Sequence, residues 1–243
     1  MRGTTPPGAV NEQQAARWVR DMFGRVAPRY DFANHLLSMN IDRRWRGRTV
    51  ARVRDVLLRP EARIADLCCG TGDLTLALSV ARGSPVLGSD FCAPMLDRAA
   101  QKLFAHHLQP RLFEADAMRL PFADGSLDLI TCAFGFRNLT GYDAGLREFR
   151  RVLRAGGKLA ILEFSTPPNR WFSALYGFYS GQILPRIGGV LSGARDAYTY
   201  LPESVEKFPN AEELARGMRD AGFCQVSFER MTGGIVALHV GIA

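Results

Sequence analysis

Few residues of this chain are of the kinds that cross-link or chelate. Its 243 residues include five cysteines and four histidines, which form no CxxC pair and no HExxH sequence. Neither a disulfide scaffold nor a metal site is therefore predicted, and reduced thiols indicate a cytoplasmic protein. No apolar run approaches the roughly 18 residues of a membrane-spanning helix. The first residues also lack the apolar segment of a secretory signal, so none is expected.

Lysine is almost absent, and positive charge is unevenly spread. The chain has three lysines against 28 arginines and a net charge of +7. Residues 1–60 hold 12 arginines and five acids, whereas the remaining residues hold 19 basic and 19 acidic side chains. Such a basic segment can meet nucleic acid, an anionic membrane or an acidic partner. A solvated helix face is the alternative interpretation.

The chain divides into a tail, a cap and a main domain. Apolar residues make up 47% of it, which excludes wholesale disorder. Residues 1–10 are predicted as a disordered tail. Residues 11–58 are predicted as an N-terminal helical cap, because apolar side chains recur there at helical spacing. Residues 59–243 form the main domain, in which residues 165–210 interrupt the regular pattern as an insertion.

Short apolar runs alternate with helical stretches through the main domain. This alternation is typical of an α/β fold with a parallel sheet and helices on both faces. Two final strands flank Gly233 and Gly234, a turn that predicts an antiparallel hairpin at the end of the sheet. Together they predict a mostly parallel sheet of seven strands, at 63–69, 85–91, 111–117, 127–134, 158–164, 224–231 and 235–243.

The first predicted strand runs through Gly70, Thr71 and Gly72 into a helix. Such a turn presents backbone N–H groups and a helix N-terminus to a ligand. A nicotinamide site would need a third glycine at position 75, where this chain has Thr75. A tight strand–helix turn without a ligand is the alternative, because two glycines are a weak signal.

Three acids close three consecutive predicted strands: Asp66, Asp90 and Asp116. A carboxylate at Asp66 repels pyrophosphate but suits a ligand with an ammonium and a sulfonium, which is S-adenosylmethionine. Asp90 follows Gly70 by 20 residues, where an acid can accept hydrogen bonds from both ribose hydroxyls. Asp116 and Ala117 are placed to hydrogen-bond the adenine edge. These residues predict S-adenosyl-L-methionine as the cofactor.

Longer stretches of the chain resemble one family, at 22–34, 66–74, 116–122, 134–138, 151–157, 162–165 and 233–241. Many methyltransferases share the glycine loop, but few share the RYD, FGFRN and GGIVALH sequences. The chain resembles the quinone-pathway C-methyltransferases, the family of demethylmenaquinone methyltransferase and 2-methoxy-6-polyprenyl-1,4-benzoquinol methyltransferase. The resemblance implies a Rossmann-like class I methyltransferase fold. It places Thr71, Asp90, Asp116 and Ala117 at the cofactor, and Ala133 where some members have a serine.

The reaction that the resemblance implies is methyl transfer from a sulfonium to a ring carbon of a quinol. A phenol has a pKa of about 10, so the site must help to ionise a neighbouring hydroxyl. Arg137 is predicted to hold the developing phenolate or polarise a water, Asn138 to orient either group, and Tyr30 and Asp31 to close the pocket. The alternatives are a surface turn for Arg137 and Asn138, packing for Tyr30, and a helix cap or salt bridge for Asp31. His239 is predicted to be structural.

The implied substrate is a polyprenyl quinol, so contact with the anionic inner face of the cell membrane is expected. The arginines of residues 43–54 would face the lipid head groups, and the aromatic stretch 171–184 would form a wall or lid. No nucleic-acid partner is predicted, since the chain lacks an Asn/Asp-Pro-Pro-Tyr motif, and a homodimer is a further expectation. Ala133 and the loop sequence favour the menaquinone precursor. The alternatives are the benzoquinol of ubiquinone biosynthesis, another phenol or sterol, a nucleic-acid methyltransferase and a non-enzymatic binding module.

Overall fold

A computed structural model describes residues 3–4, 6, 8–31, 35, 38–172, 177 and 195–243. Its centre is a seven-stranded sheet in the order β3-β2-β1-β4-β5-β7-β6. The strands β1 to β7 are Ile64–Leu67, Leu87–Asp90, Arg111–Glu114, Leu127–Ala133, Leu153–Phe164, Cys224–Met231 and Val236–Ile242. The first five pair in parallel, whereas β7 pairs antiparallel with both β5 and β6. The predicted α/β fold with a C-terminal hairpin is confirmed.

Helices cover both faces of the sheet. Helices α1 to α8 are Glu12–Val26, Ile41–Arg52, Arg54–Leu57, Asp73–Arg82, Ala93–Ala105, Tyr142–Val152, Arg195–Lys207 and Ala211–Asp220. One core joins the sheet to aromatic and aliphatic side chains of α6 and α8, among them Phe149 and Leu214. The core on the opposite face takes in Trp45 of α2 and Leu78 of α4. Burial on both faces explains why the central strands are apolar runs without alternation.

The cap lies over the carboxyl ends of the parallel strands. The Asn11 side chain caps α1 by accepting a hydrogen bond from the backbone N–H of Gln14. The helix buries its Val19 and Met22 stripe against Tyr200 of α7. A short 3-10 turn, Ala27–Arg29, then leads the chain toward the glycine loop. This packing closes over the crevice where the strand order reverses, which is where open α/β sheets bind ligands.

The position of Thr4 differs from the prediction that residues 1–10 form a disordered tail. Its side chain is buried, and its backbone N–H donates to the carbonyl of Leu139 over 2.8 Å. The composition of the segment signals no order, and the contact depends on a partner 135 residues away in the chain. Residues 173–176 and 178–194 of the predicted 165–210 insertion lie outside the described residues, and with them most of the 171–184 aromatic stretch.

Candidate active site

A cavity of about 450 Å³ opens between the carboxyl ends of the parallel strands and the cap. Small-molecule sites typically enclose roughly 300–1,000 Å³. Eight of the eleven site residues predicted from the sequence line this cavity: Tyr30, Asp66, Gly70, Thr71, Asp90, Asp116, Ala117 and Asn138. Asp31, Gly72 and Arg137 are not among the lining residues.

The glycine loop needs its glycines for two different reasons. Gly70 has φ +55°, and a Cβ built there meets nothing within 4 Å, so the space beside it is open to a ligand. Gly72 has φ +80°, and a Cβ built there would lie 2.9 Å from Cβ of Ala99 in α5. Gly72 is also the N-cap residue of α4, so it sets where that helix begins. Gly70 thus opens the site, whereas Gly72 permits close packing of two helices.

Asp90 ends β2 and holds the glycine loop. Its Oδ2 accepts the backbone N–H of Gly70 over 2.8 Å, and its Oδ1 accepts the backbone N–H of Cys92 over 3.0 Å. Burial raises the pKa of Asp90 to about 6, although these hydrogen bonds favour the charged form. A carboxylate with lone pairs still available at the cavity wall suits two ribose hydroxyls.

Asp66, the penultimate residue of β1, lines the cavity and is almost fully buried. Its Oδ1 accepts from the hydroxyl of Thr131, and its Oδ2 accepts from the hydroxyl of Thr75, each over 2.6 Å. Thr131 lies directly opposite Asp66 in the β1–β4 register. Burial raises the pKa of Asp66 to about 6. Each oxygen therefore already has a partner, and the predicted contact with a ligand cation stays a prediction.

The predicted adenine side lies after β3. Asp116 and Ala117 line the cavity there, and Oδ1 of Asp116 accepts the backbone N–H of Met118 over 2.8 Å. Arg20 reaches across from α1 to pair with Glu114 at the end of β3, and both line the cavity. The cap thus forms a wall on this side that sequence reasoning did not place.

The predicted acceptor residues Tyr30 and Asn138 also line the cavity. Tyr30 packs edge-on against Phe23 of α1, with ring centroids 5.9 Å apart, and both line the cavity. Asn138 reaches the cavity from the 3-10 turn Phe136–Asn138 that follows β4. Between them these residues offer an aromatic ring and an amide, which suit a flat aromatic acceptor better than a charged one.

Arg137 lies behind this wall in a buried ion pair. Its Nη1 donates to Oε1 of Glu163 over 3.1 Å, and its guanidinium stacks over the ring of Phe164 at 5.2 Å. Burial would lower the pKa of Arg137, but Glu163 holds it above the ordinary value, so the guanidinium stays charged. Burial excludes the alternative of an exposed surface turn for Arg137, which is 4% exposed. Direct contact with a phenolate stays a prediction, because Glu163 already takes part of the charge.

Asp31 joins the cap to the glycine loop. It accepts a hydrogen bond from the Thr71 hydroxyl, and Lys102 of α5 pairs with its Oδ2 at 2.7 Å. Lys102 also pairs with Asp73, the first residue of α4. Asp31 therefore makes the salt bridge that the sequence left as an alternative, and it acts on the loop from outside the cavity.

Three possible metal donors, His35, Asp42 and Asp73, lie within 4.8 Å of one another at the edge of this network. Arg46 pairs with both acids, and His35 Nδ1 contacts Asp42 at 2.9 Å. Arg46 and Lys102 hold the pKa of Asp73 below its ordinary value, although burial opposes them. The Arg46 guanidinium already neutralises the carboxylates that would bind a metal cation, so we interpret this cluster as an ion-pair network.

Sequence reasoning missed several contributors to the site. Glu163 stands near the end of a buried strand, the same signal that marked the other three acids, and it could have been found. Thr75 was read only as a missing glycine, yet it holds Asp66. Tyr200 carried no signal beyond its aromatic ring. His239 is confirmed as structural: it is buried in β7, and its Nε2 lies 2.8 Å from the carbonyl of Ala211.

Comparison with known proteins agrees with this geometry. Demethylmenaquinone methyltransferase of Thermus thermophilus is 49% identical over 222 residues, which covers 90% of this chain and 99% of that protein. Ubiquinone/menaquinone biosynthesis C-methyltransferase UbiE of Syntrophotalea carbinolica is 45% identical and covers 91% of this chain and 92% of its own length.

A solved structure supports the fold. A SAM-dependent methyltransferase of Thermotoga maritima, described as a possible histamine N-methyltransferase, superposes with a TM-score of 0.62. It is 18% identical, and the match covers 91% of this chain and 98% of that one. A family model covers residues 9–243, almost the whole chain. From the length of that match and the identity of its relatives, the chain belongs to the ubiE/COQ5 methyltransferase family.

Proposed function

We propose that the protein methylates a ring carbon of a demethylmenaquinol with S-adenosyl-L-methionine as donor. The observation that carries the proposal is the lining of the cavity, which combines carboxylates with aromatic rings and the Asn138 amide. The choice of a naphthoquinol rests on the Thermus thermophilus relative. The alternative is the benzoquinol of ubiquinone biosynthesis, since the Syntrophotalea carbinolica relative carries both pathway names.

The carboxylates and the glycine loop of the cavity suit S-adenosylmethionine. When bound, this cofactor supplies a methyl group on a positively charged sulfur. Asp90 would accept the ribose hydroxyls, and Asp116 with Ala117 would face the adenine. Gly70 leaves room for the ligand to approach the loop backbone. The carboxylate of Asp66 lowers the electrostatic energy of a cation in the cavity, since few waters screen a charge in a buried site.

The residues that meet the acceptor must favour ionisation of the quinol. Asn138 lines the cavity, and an amide N–H can donate to the oxygen on which negative charge develops. The Arg137 guanidinium adds positive potential from behind the wall, reduced by its pairing with Glu163. Arg137 cannot accept the proton, because its pKa lies above the ordinary arginine value. The proton therefore leaves through water or another base, while these groups stabilise the phenolate.

The decisive experiment offers the protein labelled S-adenosylmethionine with two reduced acceptors that carry the same short prenyl chain. One is a demethylmenaquinol and the other a 2-methoxy-6-prenyl-1,4-benzoquinol. We expect the label in the naphthoquinol ring, and Asn138→Ala should lower kcat by about 100-fold, the effect of removing one donor to a developing oxyanion. Transfer only to the benzoquinol would overturn the substrate choice, and transfer to neither would overturn the function.

We also propose that the protein works at an anionic membrane surface. On α2 and just after it, Arg43, Arg44, Arg52 and Arg54 are exposed, whereas Arg48 pairs with Glu229 at 2.9 Å. Each arginine near an anionic surface contributes about 1 kcal/mol of attraction. Within the described residues, no helix has the length and apolarity that crossing a bilayer requires.

Vesicle flotation tests the membrane proposal. Binding to vesicles with anionic lipid should weaken with added salt and should fall in the double variant Arg43→Glu, Arg44→Glu. The matched control reverses two exposed arginines of α8, Arg216→Glu and Arg219→Glu. Equal binding by both double variants would contradict the proposal. The expected homodimer stays a prediction, which the mass in solution can test.

A further inference from the structure

Three polar side chains from distant parts of the chain form a line that ends at the cavity. The hydroxyl oxygens of Thr4 and Tyr200 lie 2.7 Å apart, and the Tyr200 hydroxyl donates to Oδ1 of Asn138 over 3.2 Å. A phenol has one hydrogen. Because Tyr200 gives that hydrogen to Asn138, the Thr4 hydroxyl must donate to the oxygen of Tyr200. The line therefore has a direction, from Thr4 through Tyr200 to Asn138.

This direction decides which end of the Asn138 amide faces the cavity. An asparagine amide can present either its oxygen or its NH₂ group, and its neighbours choose between them. The Tyr200 hydroxyl occupies the oxygen on the side away from the cavity. The NH₂ group then remains for the cavity, where it can donate to an acceptor oxygen but cannot accept a proton from it.

Tyr200 is held firmly enough to impose this orientation. Its side chain is 5% exposed, and its ring packs against Trp18 of α1 with centroids 5.2 Å apart. Among the described residues, the titratable groups that face it are Arg137, whose positive charge favours the phenolate, Glu163, whose charge opposes it, and Tyr142. Burial raises the pKa of Tyr200, so the hydroxyl keeps its hydrogen at neutral pH.

We propose that Tyr200 is a positioning residue for methyl transfer. Through its hydrogen bond to Asn138 it aims the amide NH₂ at the quinol oxygen that gains negative charge, and Thr4 sets the direction of that bond. Tyr200 itself lies behind the cavity wall and touches no substrate. This proposal rests on the proposed function, because it assigns a role within the same site.

The test is a double-mutant cycle between Tyr200→Phe and Asn138→Ala. Phenylalanine keeps the ring packing and removes only the hydroxyl. Tyr200→Phe should lower kcat about tenfold, with the KM for S-adenosylmethionine unchanged, as expected for one lost hydrogen bond. In the Asn138→Ala background the same change should have no further effect, because the residue through which Tyr200 acts is already absent. Thr4→Val should lower kcat about threefold, and Thr4→Ser, which keeps the hydroxyl, should restore it.

Other outcomes separate this proposal from the proposed function. A Tyr200→Phe variant within twofold of the original kcat, or effects of the two changes that multiply independently, would overturn the positioning role. If the original protein methylates neither quinol, the proposed function fails. The orientation of the Asn138 amide can still be tested by NMR in the protein without an acceptor. The side-chain NH₂ resonances of Asn138 in ¹⁵N-labelled protein should shift in Tyr200→Phe and in Thr4→Val but not in Thr4→Ser. Unchanged resonances in both would overturn the proposal.

Discussion

Binding of S-adenosylmethionine should weaken steeply between pH 7 and pH 5. Burial raises the pKa of Asp90 and of Asp66 to about 6 in each case. Two ribose hydroxyls donate more strongly to the ionised form of Asp90 than to its protonated form, and a sulfonium is attracted only by the ionised form of Asp66. Each carboxyl that is protonated in the free protein must therefore release its proton when the donor binds.

The magnitude follows from those pKa values. A group with a pKa of about 6 is about nine-tenths ionised at pH 7 and about one-tenth ionised at pH 5. One such group raises Kd about tenfold across this range, which is about 1.4 kcal/mol, and two independent groups raise it about 100-fold. The α-amino group of the donor, with a pKa of about 7.7, stays protonated throughout and cancels from the comparison.

Titration calorimetry in two buffers with different ionisation enthalpies measures both Kd and the number of protons released. The protein should release between one and two protons per donor near pH 5 and few at pH 7. Asp90→Asn should bind more weakly, because an amide has one acceptor oxygen where Asp90 serves both Gly70 and Cys92. In that variant the rise of Kd between pH 7 and pH 5 should be about tenfold smaller than in the original protein. A Kd that is flat from pH 5 to pH 7, with no proton release, would refute the reasoning.

Three further predictions concern stability. Gly72→Ala should unfold at a lower urea concentration than Gly70→Ala, because both residues have positive φ but only Gly72 is crowded by a neighbouring helix. Gly70→Ala should instead weaken binding of the donor. Equal unfolding midpoints for the two variants would contradict this. Glu163→Gln should cost about 3–5 kcal/mol because it leaves the Arg137 charge buried and unpaired, and adding Arg137→Met should recover part of that loss; no recovery would count against the ion pair. Burial lowers the pKa of His239 to about 4, below the unfolded value of about 6.5, so the stability of the native fold is lost as pH falls through that range. Between pH 7 and pH 5 the original protein should lose about 2 kcal/mol more than His239→Gln, and an equal loss would refute the buried neutral histidine.

The architecture, the carboxylates and the glycine loop of the site follow from local sequence patterns. Apolar runs between helical stretches predict parallel strands, and parallel strands bring all their carboxyl ends to one edge. Asp66, Asp90 and Asp116 lie within two residues of the ends of consecutive strands, so topology alone brings them together. Local geometry also explains why Gly70 and Gly72 could be assigned, since a strand that turns sharply into a helix needs residues free of a Cβ.

The tertiary structure decided which of the predicted acceptor residues reaches the cavity. Arg137 and Asn138 are neighbours in one 3-10 turn, yet Asn138 reaches the cavity while Arg137 turns inward to Glu163. Adjacent residues in a tight turn point in different directions, and the packing around the turn chooses which one faces the ligand.

Thr4 shows the same limit over a longer range. Its bond to Tyr200 joins residues 196 positions apart, and nothing in either local sequence announces it. A strand or a helix repeats its pattern over several residues and can be read from them, whereas a single side-chain contact is set by how the cap closes on the sheet. The sequence by itself therefore determined the fold and the carboxylates that line the cavity. Only the tertiary structure decided which polar group meets the acceptor.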